Sequence, residues 1–216
     1  MLVISLTSIP PRFGQLPRVL DALLAQGADA VALVVPKSYA RFDGANLPAL
    51  PDGVSLIETD DDLGPAGKLL AAAARFPGAD ILYCDDDWLY GPGWAATFRS
   101  ARAWHPRAVI AASTWPTERI KRAGGVIAEG YAGVLVPADL ASEIAPPPPE
   151  AWAVDDIWLS GQFAALGRAV VHVPAARALI SPLAAPGALQ DSTDRARSNR
   201  VAAAGIHEMF GIWPAA

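Results

Sequence analysis

The chain has 216 residues, enough to bury a sizeable core, and the length fits one α/β domain over residues 1–216 better than two small ones. Its 22 acidic residues outnumber 17 basic ones, and the formal charge of -5 argues against a nucleic-acid partner. Hydrophobic residues make up 52%, yet no uninterrupted apolar run approaches the roughly 20 residues of a membrane helix, so no transmembrane segment is expected.

The opening Met1-Leu2-Val3-Ile4-Ser5-Leu6 lacks a basic leader and a cleavage region, and reads as a first strand over residues 2–6 rather than a signal peptide. Leu16, Val19, Leu20, Leu23 and Leu24 then recur at helical spacing, with Pro17 early and Gly27 after the end. Residues 30–35 form a second strand halted by Pro36, and residues 39–52, with Pro48 and Pro51, form a loop. A third strand covers residues 54–58, a helix runs from Pro65 to Arg75, and Pro77-Gly78 stops it. The run Asp80-Ile81-Leu82-Tyr83-Cys84 is a buried strand. Cys84, the lone cysteine, rules out an intrachain disulfide or a cysteine-rich zinc site and suits a small core position; a reducing cytoplasm is the expected compartment.

Further on, residues 92–104 read as a helix, and residues 108–112 and 131–136 as strands. Pro146-Pro147-Pro148-Pro149 is a short polyproline run. A helix follows over residues 154–166 and a late strand over 169–173; residues 187–199 are polar, and helical periodicity returns over 201–210. Strands alternating with helices imply a mostly parallel sheet flanked by helices, with ligands gathered at the strands' carboxyl ends.

Asp85-Asp86-Asp87 is the most informative stretch, because it ends a hydrophobic strand. Three adjacent carboxylates repel one another, and holding them together costs stability unless a cation joins them. A hard divalent ion such as Mg2+ or Mn2+ takes oxygen ligands and bridges carboxylates to a diphosphate. The competing reading is an acidic loop that caps the next helix.

Five segments together resemble the GT-A class of nucleotide-sugar-dependent glycosyltransferases. They are Thr7-Ser8-Ile9-Pro10-Pro11-Arg12-Phe13, Asp62-Leu63-Gly64-Pro65-Ala66-Gly67-Lys68, the triple aspartate, Gly130-Tyr131-Ala132-Gly133, and Asp155-Asp156-Ile157-Trp158. The triple aspartate looks like the DxD motif of that class. The resemblance implies a single-domain, Rossmann-like GT-A fold and a metal-dependent transfer of sugar from a nucleoside-diphosphate sugar to a carbohydrate or other hydroxyl acceptor.

Carried over, Asp85 faces the ribose and shares the metal, Asp87 binds the metal, and Asp86 supports them or shares the ion. Thr7, Pro10 and Arg12 lie in the loop after the first strand, where a nucleotide belongs; Arg12 suits a phosphate, with an exposed arginine on a Pro-rich turn as the alternative. Lys68, beside glycines at a helix start, also suits the diphosphate, with a solvated helix lysine as the alternative. Asp62 is a helix cap or a ribose contact.

Asp155 and Asp156 form the acidic pair on the acceptor side: Asp155 is expected to cap the helix, and Asp156 is the candidate base of an inverting enzyme or an acceptor-orienting or cation-stabilising carboxylate of a retaining one. His172 and His207 are candidates for a further metal ligand, although His172 also fits a structural role in its strand. Trp88, Trp115, Trp152 and Trp158 lie near these segments, where aromatic faces suit sugar rings, although any one of them fits a core position better. The alternatives are a nucleotidyltransferase, which lacks its Gly-rich, Arg-Lys signature here, and a non-catalytic sugar-nucleotide-binding module.

Overall fold

A computed structural model describes residues 1–43, 46–184, 186–188 and 194–216. The first half runs β1 (Leu2–Thr7), α1 (Leu16–Leu24), β2 (Ala30–Pro36), β3 (Val54–Thr59), α2 (Gly67–Arg75) and β4 (Asp80–Cys84). Then come β5 (Trp88–Tyr90), α3 (Trp94–Trp104), β6 (Val109–Ala111), β7 (Thr114–Pro116), β8 (Val126–Ala128) and β9 (Val134–Val136). The chain finishes with α4 (Ala138–Ala141), α5 (Asp155–Ala165), β10 (Val170–His172), α6 (Pro174–Arg177), β11 (Ile180–Pro182) and α7 (Arg195–Phe210).

Seven strands form one sheet in the order β10-β6-β9-β4-β1-β2-β3. All neighbours are parallel except β9, which runs antiparallel to both β4 and β6. The expected α/β architecture, a mostly parallel sheet flanked by helices, is the one observed.

Alternation along the strands divides the core into two halves. In β4, Leu82 and Cys84 pack with Ile4 and Leu6 of β1 against α1 and α3. Ile81 and Tyr83 point the other way, toward α2, α5 and α7. Both faces are therefore apolar, as a sheet covered on two sides requires. Helix α1 contributes Leu16, Val19, Leu20 and Leu23, four buried side chains at the spacing that lines one helix face.

Several elements differ from the sequence reading in extent. Helix α2 is preceded by a 3-10 turn over Gly64–Ala66, so Pro65 opens that turn rather than the helix itself. Within residues 131–136 only Val134–Val136 is strand; Gly130–Ala132 is a 3-10 turn, and Gly133 breaks the two apart at φ 106°. Helix α7 starts at Arg195, because the Asp194 side chain accepts the Arg197 N–H and caps it before the apolar periodicity begins. Two small ribbons, β5 with β11 and β7 with β8, carry three residues per strand, too few for alternation to mark them. No helix among the described residues is long and apolar enough to cross a membrane.

Candidate functional site

Strands β1 and β4 are neighbours, but from β1 the sheet continues to β2 and β3 on one side, while β4 leads to β9 on the other. Such a point opens a crevice beyond the strands' carboxyl ends. Thr7 ends β1 and is followed by Ser8 and Arg12, and the segment after β4 carries Asp85, Asp86 and Asp87. The two acidic and basic segments meet there.

The period of two continues past β4 and separates the three aspartates. Asp85 follows Tyr83 toward α2, where its Oδ1 lies 2.5 Å from Lys68 Nζ. Lys68 is 1% exposed and also pairs with Asp155 Oδ2 at 3.0 Å. Burial alone would depress the lysine pKa, but Asp155, Asp85 and Asp156 outweigh it and hold the ammonium charged, well above its ordinary value.

Asp86 turns the opposite way and is buried. Its Oδ2 accepts from Ser8 Oγ at 2.6 Å, and its Oδ1 accepts from Arg12 Nη1 at 2.5 Å. Arg12 Nη1 also lies 3.2 Å from Asp87 Oδ2. Asp87 Oδ1 is buried and has no hydrogen-bond partner among the described residues. Burial first, then the neighbouring Asp85, raises the Asp87 pKa, against the opposing pull of Arg12.

The turn is held from its backbone as well. The Tyr90 hydroxyl accepts the Asp85 N–H at 3.0 Å and lies 2.8 Å from the Asp85 carbonyl. Gln15 Nε2 donates to the Asp86 carbonyl at 3.1 Å.

The placement of Lys68 rules out the solvated-lysine alternative. Lys68 and Arg12 both line the first cavity, and each also neutralises carboxylates of the cluster. The cost of three adjacent acids is thus met partly from within the protein.

Asp155 likewise does not cap α5. Val154 holds the cap position with no side-chain hydrogen bond there, and Asp155 occupies the first turn, turned to Lys68. Asp156 Oδ1 accepts the Gly130 N–H at 2.9 Å. A glycine is needed at that contact, since a Cβ on residue 130 would sit 2.8 Å from Lys68 Nζ and 3.2 Å from Asp156 Oδ1. Burial, then Asp155, raises the Asp156 pKa above the ordinary carboxylate range.

Two cavities flank the acidic segment. The first is lined by Thr7, Arg12, Asp62 and Lys68, with the aromatic side chains of Tyr39, Phe42 and Trp152. The second is lined by Trp88, Trp115 and Tyr131. Asp85, Asp87 and Asp156 border both. Asp62 ties the first wall together, its carboxylate accepting the Ala40 N–H at 2.8 Å and the Gly64 N–H at 2.9 Å.

Other expected residues stand apart. Pro10 begins a 3-10 turn, Pro10–Arg12, that delivers Arg12 but lines neither cavity. His172 is exposed on the edge strand β10 and also lines neither. The His207 ring Nδ1 lies 2.8 Å from the Ile212 carbonyl, at the end of α7. Trp158 belongs to the core, whereas Trp88, Trp115 and Trp152 reach the cavities.

Ser8, Gln15, Tyr39 and Tyr90 escaped the sequence reading. Their partners lie far along the chain or act through backbone carbonyls, as with Ser8 and Asp86, 78 positions apart.

Among the described residues, no three His, Cys, Asp or Glu side chains form a preassembled metal cage. Asp85 and Asp87 nevertheless fit a hard divalent ion. Both border the cavities, Asp87 Oδ1 is unsatisfied, and Mg2+ commonly binds through one or two carboxylates with phosphate and water completing its shell.

No protein-family model matches the sequence, and no curated protein matches it. Solved structures do resemble it in fold. The mannosyltransferase PcManGT from Pyrobaculum calidifontis, in complex with GDP-Man and Mn2+, has a TM-score of 0.54 at 14% identity, covering 96% of this chain and 73% of that one. UDP-glucose pyrophosphorylase from Acinetobacter baumannii has a TM-score of 0.47 at 14% identity, covering 79% of this chain and 85% of that one. Identity this low establishes likeness of fold alone.

Proposed function

We propose that the protein is a metal-dependent glycosyltransferase that moves a sugar from a nucleoside-diphosphate sugar to a hydroxyl acceptor. One observation carries this reading: Asp85, Asp87 and Asp156 stand on the boundary between two cavities at the sheet's switch point. A transferase that joins two substrates needs its charged groups at such a boundary, within reach of both. The fold likeness to a mannosyltransferase supports the same reading.

The first cavity takes the donor, with Tyr39 and Phe42 offering aromatic faces to its base or ribose. Asp85 and Asp87 are the residues that would hold Mn2+ or Mg2+. The ion supplies neutralisation of the diphosphate as negative charge grows on the leaving group. Arg12 and Lys68 hold these carboxylates in place, so they serve the donor through Asp85 and Asp87 rather than by direct contact.

In the transfer itself, the acceptor hydroxyl oxygen attacks the sugar's anomeric carbon. The bond from that carbon to the diphosphate oxygen breaks, and the nucleoside diphosphate leaves with the bonding electrons. Asp156 takes the hydroxyl proton. Its pKa is raised to about 8, so its ionised form is a stronger base than an ordinary carboxylate and is populated as the pH rises toward that value; the Gly130 N–H fixes its orientation.

Incubating the protein with a panel of nucleotide sugars and Mn2+ tests the reaction type. Free nucleoside diphosphate with a glycosylated acceptor, or with free sugar by slow hydrolysis, is the expected product. Pyrophosphate from nucleoside triphosphates and sugar phosphates would instead establish nucleotidyl transfer, and no turnover on any donor would leave a binding module.

A further inference from the structure

The second cavity shows more than its position. Its walls are the aromatic side chains of Trp88, Trp115 and Tyr131, and its rim carries Arg119, Arg195 and Arg200. These arginines come from separate elements: Arg119 from the 3-10 turn Thr117–Ile120, the other two from α7. Some cations elsewhere pair with acids, as Arg102 does with Asp80 and Arg168 with Asp139. Among the described residues none of the three rim arginines has an ion-pair partner.

Glu129, an acid of the lining outside the cluster, accepts from Ser113 Oγ at 2.5 Å. Behind the wall, Arg177 stacks 4.7 Å from the Trp88 ring and 5.4 Å from the Tyr131 ring. The acids of the lining, Asp85, Asp87, Glu129 and Asp156, thus share the cavity with three exposed guanidinium groups, whose N–H donors are open to an anion.

Resting on the glycosyltransferase reading of the site, we propose that the acceptor is an anionic carbohydrate-like molecule. It bears a carboxylate or phosphate for Arg119 and Arg200 and a ring or polyol face for Trp88 and Trp115. Guanidinium groups match both anions through paired N–H donors, and aromatic faces match the C–H face of a sugar. Arg119 and Arg200 line the second cavity alone, so they are free of any part in holding the donor; Arg195 reaches both cavities and is left out of the assignment. The anion at the rim would turn the acceptor hydroxyl inward, toward Asp156.

The test compares glucose, glucuronic acid and glucose 6-phosphate by calorimetry, with the protein alone and with Mn2+ and GDP or UDP present. At least one charged sugar is expected to bind about tenfold or more tightly than glucose, as one added charged hydrogen bond allows. The carboxylate and phosphate arms tell the two anions apart. In R119Q/R200Q this preference should vanish, while Mn2+-dependent nucleotide binding and the thermal unfolding midpoint stay as in the parent protein.

Equal binding of neutral and charged sugars, no measurable binding of either charged sugar, or a preference that survives in R119Q/R200Q overturns the proposal. Loss of nucleotide binding in the parent protein speaks only against the donor reading, because the sugar preference is measured without nucleotide as well.

Discussion

Lys68→Met is expected to lower the unfolding free energy by about 3–5 kcal/mol, the cost of removing one partner from a buried ion pair. The side chain is 1% exposed, and its ammonium pairs with Asp85 at 2.5 Å and Asp155 at 3.0 Å. Methionine fills nearly the same volume, so the loss is electrostatic rather than a cavity. Without the ammonium, Asp85 and Asp155 face each other and Asp156 with no cation between them. Lys37, whose pair with Asp60 lies in solvent, is the control, and Lys37→Met should change stability little. Urea unfolding of both variants decides the point. Equal stability of the two would remove Lys68 as the keystone of the acidic cluster.

Asp156→Asn should lower turnover by roughly 100-fold or more, the usual share of a general base. The amide keeps the size of the carboxylate and can still accept the Gly130 N–H, so the fold and donor affinity should persist. Asp155→Asn has a different expected signature. Its carboxylate pairs with Lys68 rather than capping α5, so the variant should lose stability more than turnover. Steady-state turnover with a working acceptor, set beside the unfolding midpoint, separates the two roles. A fully active Asp156→Asn protein would take Asp156 out of the chemistry.

The sheet and the meeting of the candidate segments at one end of it were legible because they rest on local signals. Apolar runs at residues 2–6, 30–35 and 80–84 announced the central strands, and their order placed the loops after β1 and β4 at one end. The partners of the acids were not legible. Whether Lys68 meets water, a phosphate or a carboxylate depends on which face of the sheet α2 covers, and helical spacing alone says nothing of that.

Once β4 is registered on β1, the alternation fixes the answer: Asp85 goes to Lys68 and Asp86 to Ser8 and Arg12. The same long-range pairing explains Asp155. A cap reads well from sequence, yet a buried lysine in the neighbouring helix is a stronger partner for a carboxylate than the helix's own N–H groups. The second cavity was hidden for a related reason. Its arginines come from residues 119, 195 and 200, which no motif groups together.

The central claim, that Asp85 and Asp87 bind a nucleoside diphosphate through a divalent ion, is tested most directly by calorimetric titration of GDP and of UDP. The titration is run with Mn2+ and with EDTA, on the parent protein and on Asp87→Ala. One nucleotide is expected to bind the parent protein only with Mn2+, and Asp87→Ala, still folded, to lose this metal-dependent binding. Nucleotide affinity that is the same with Mn2+ and EDTA, or that is unchanged in Asp87→Ala, would contradict it.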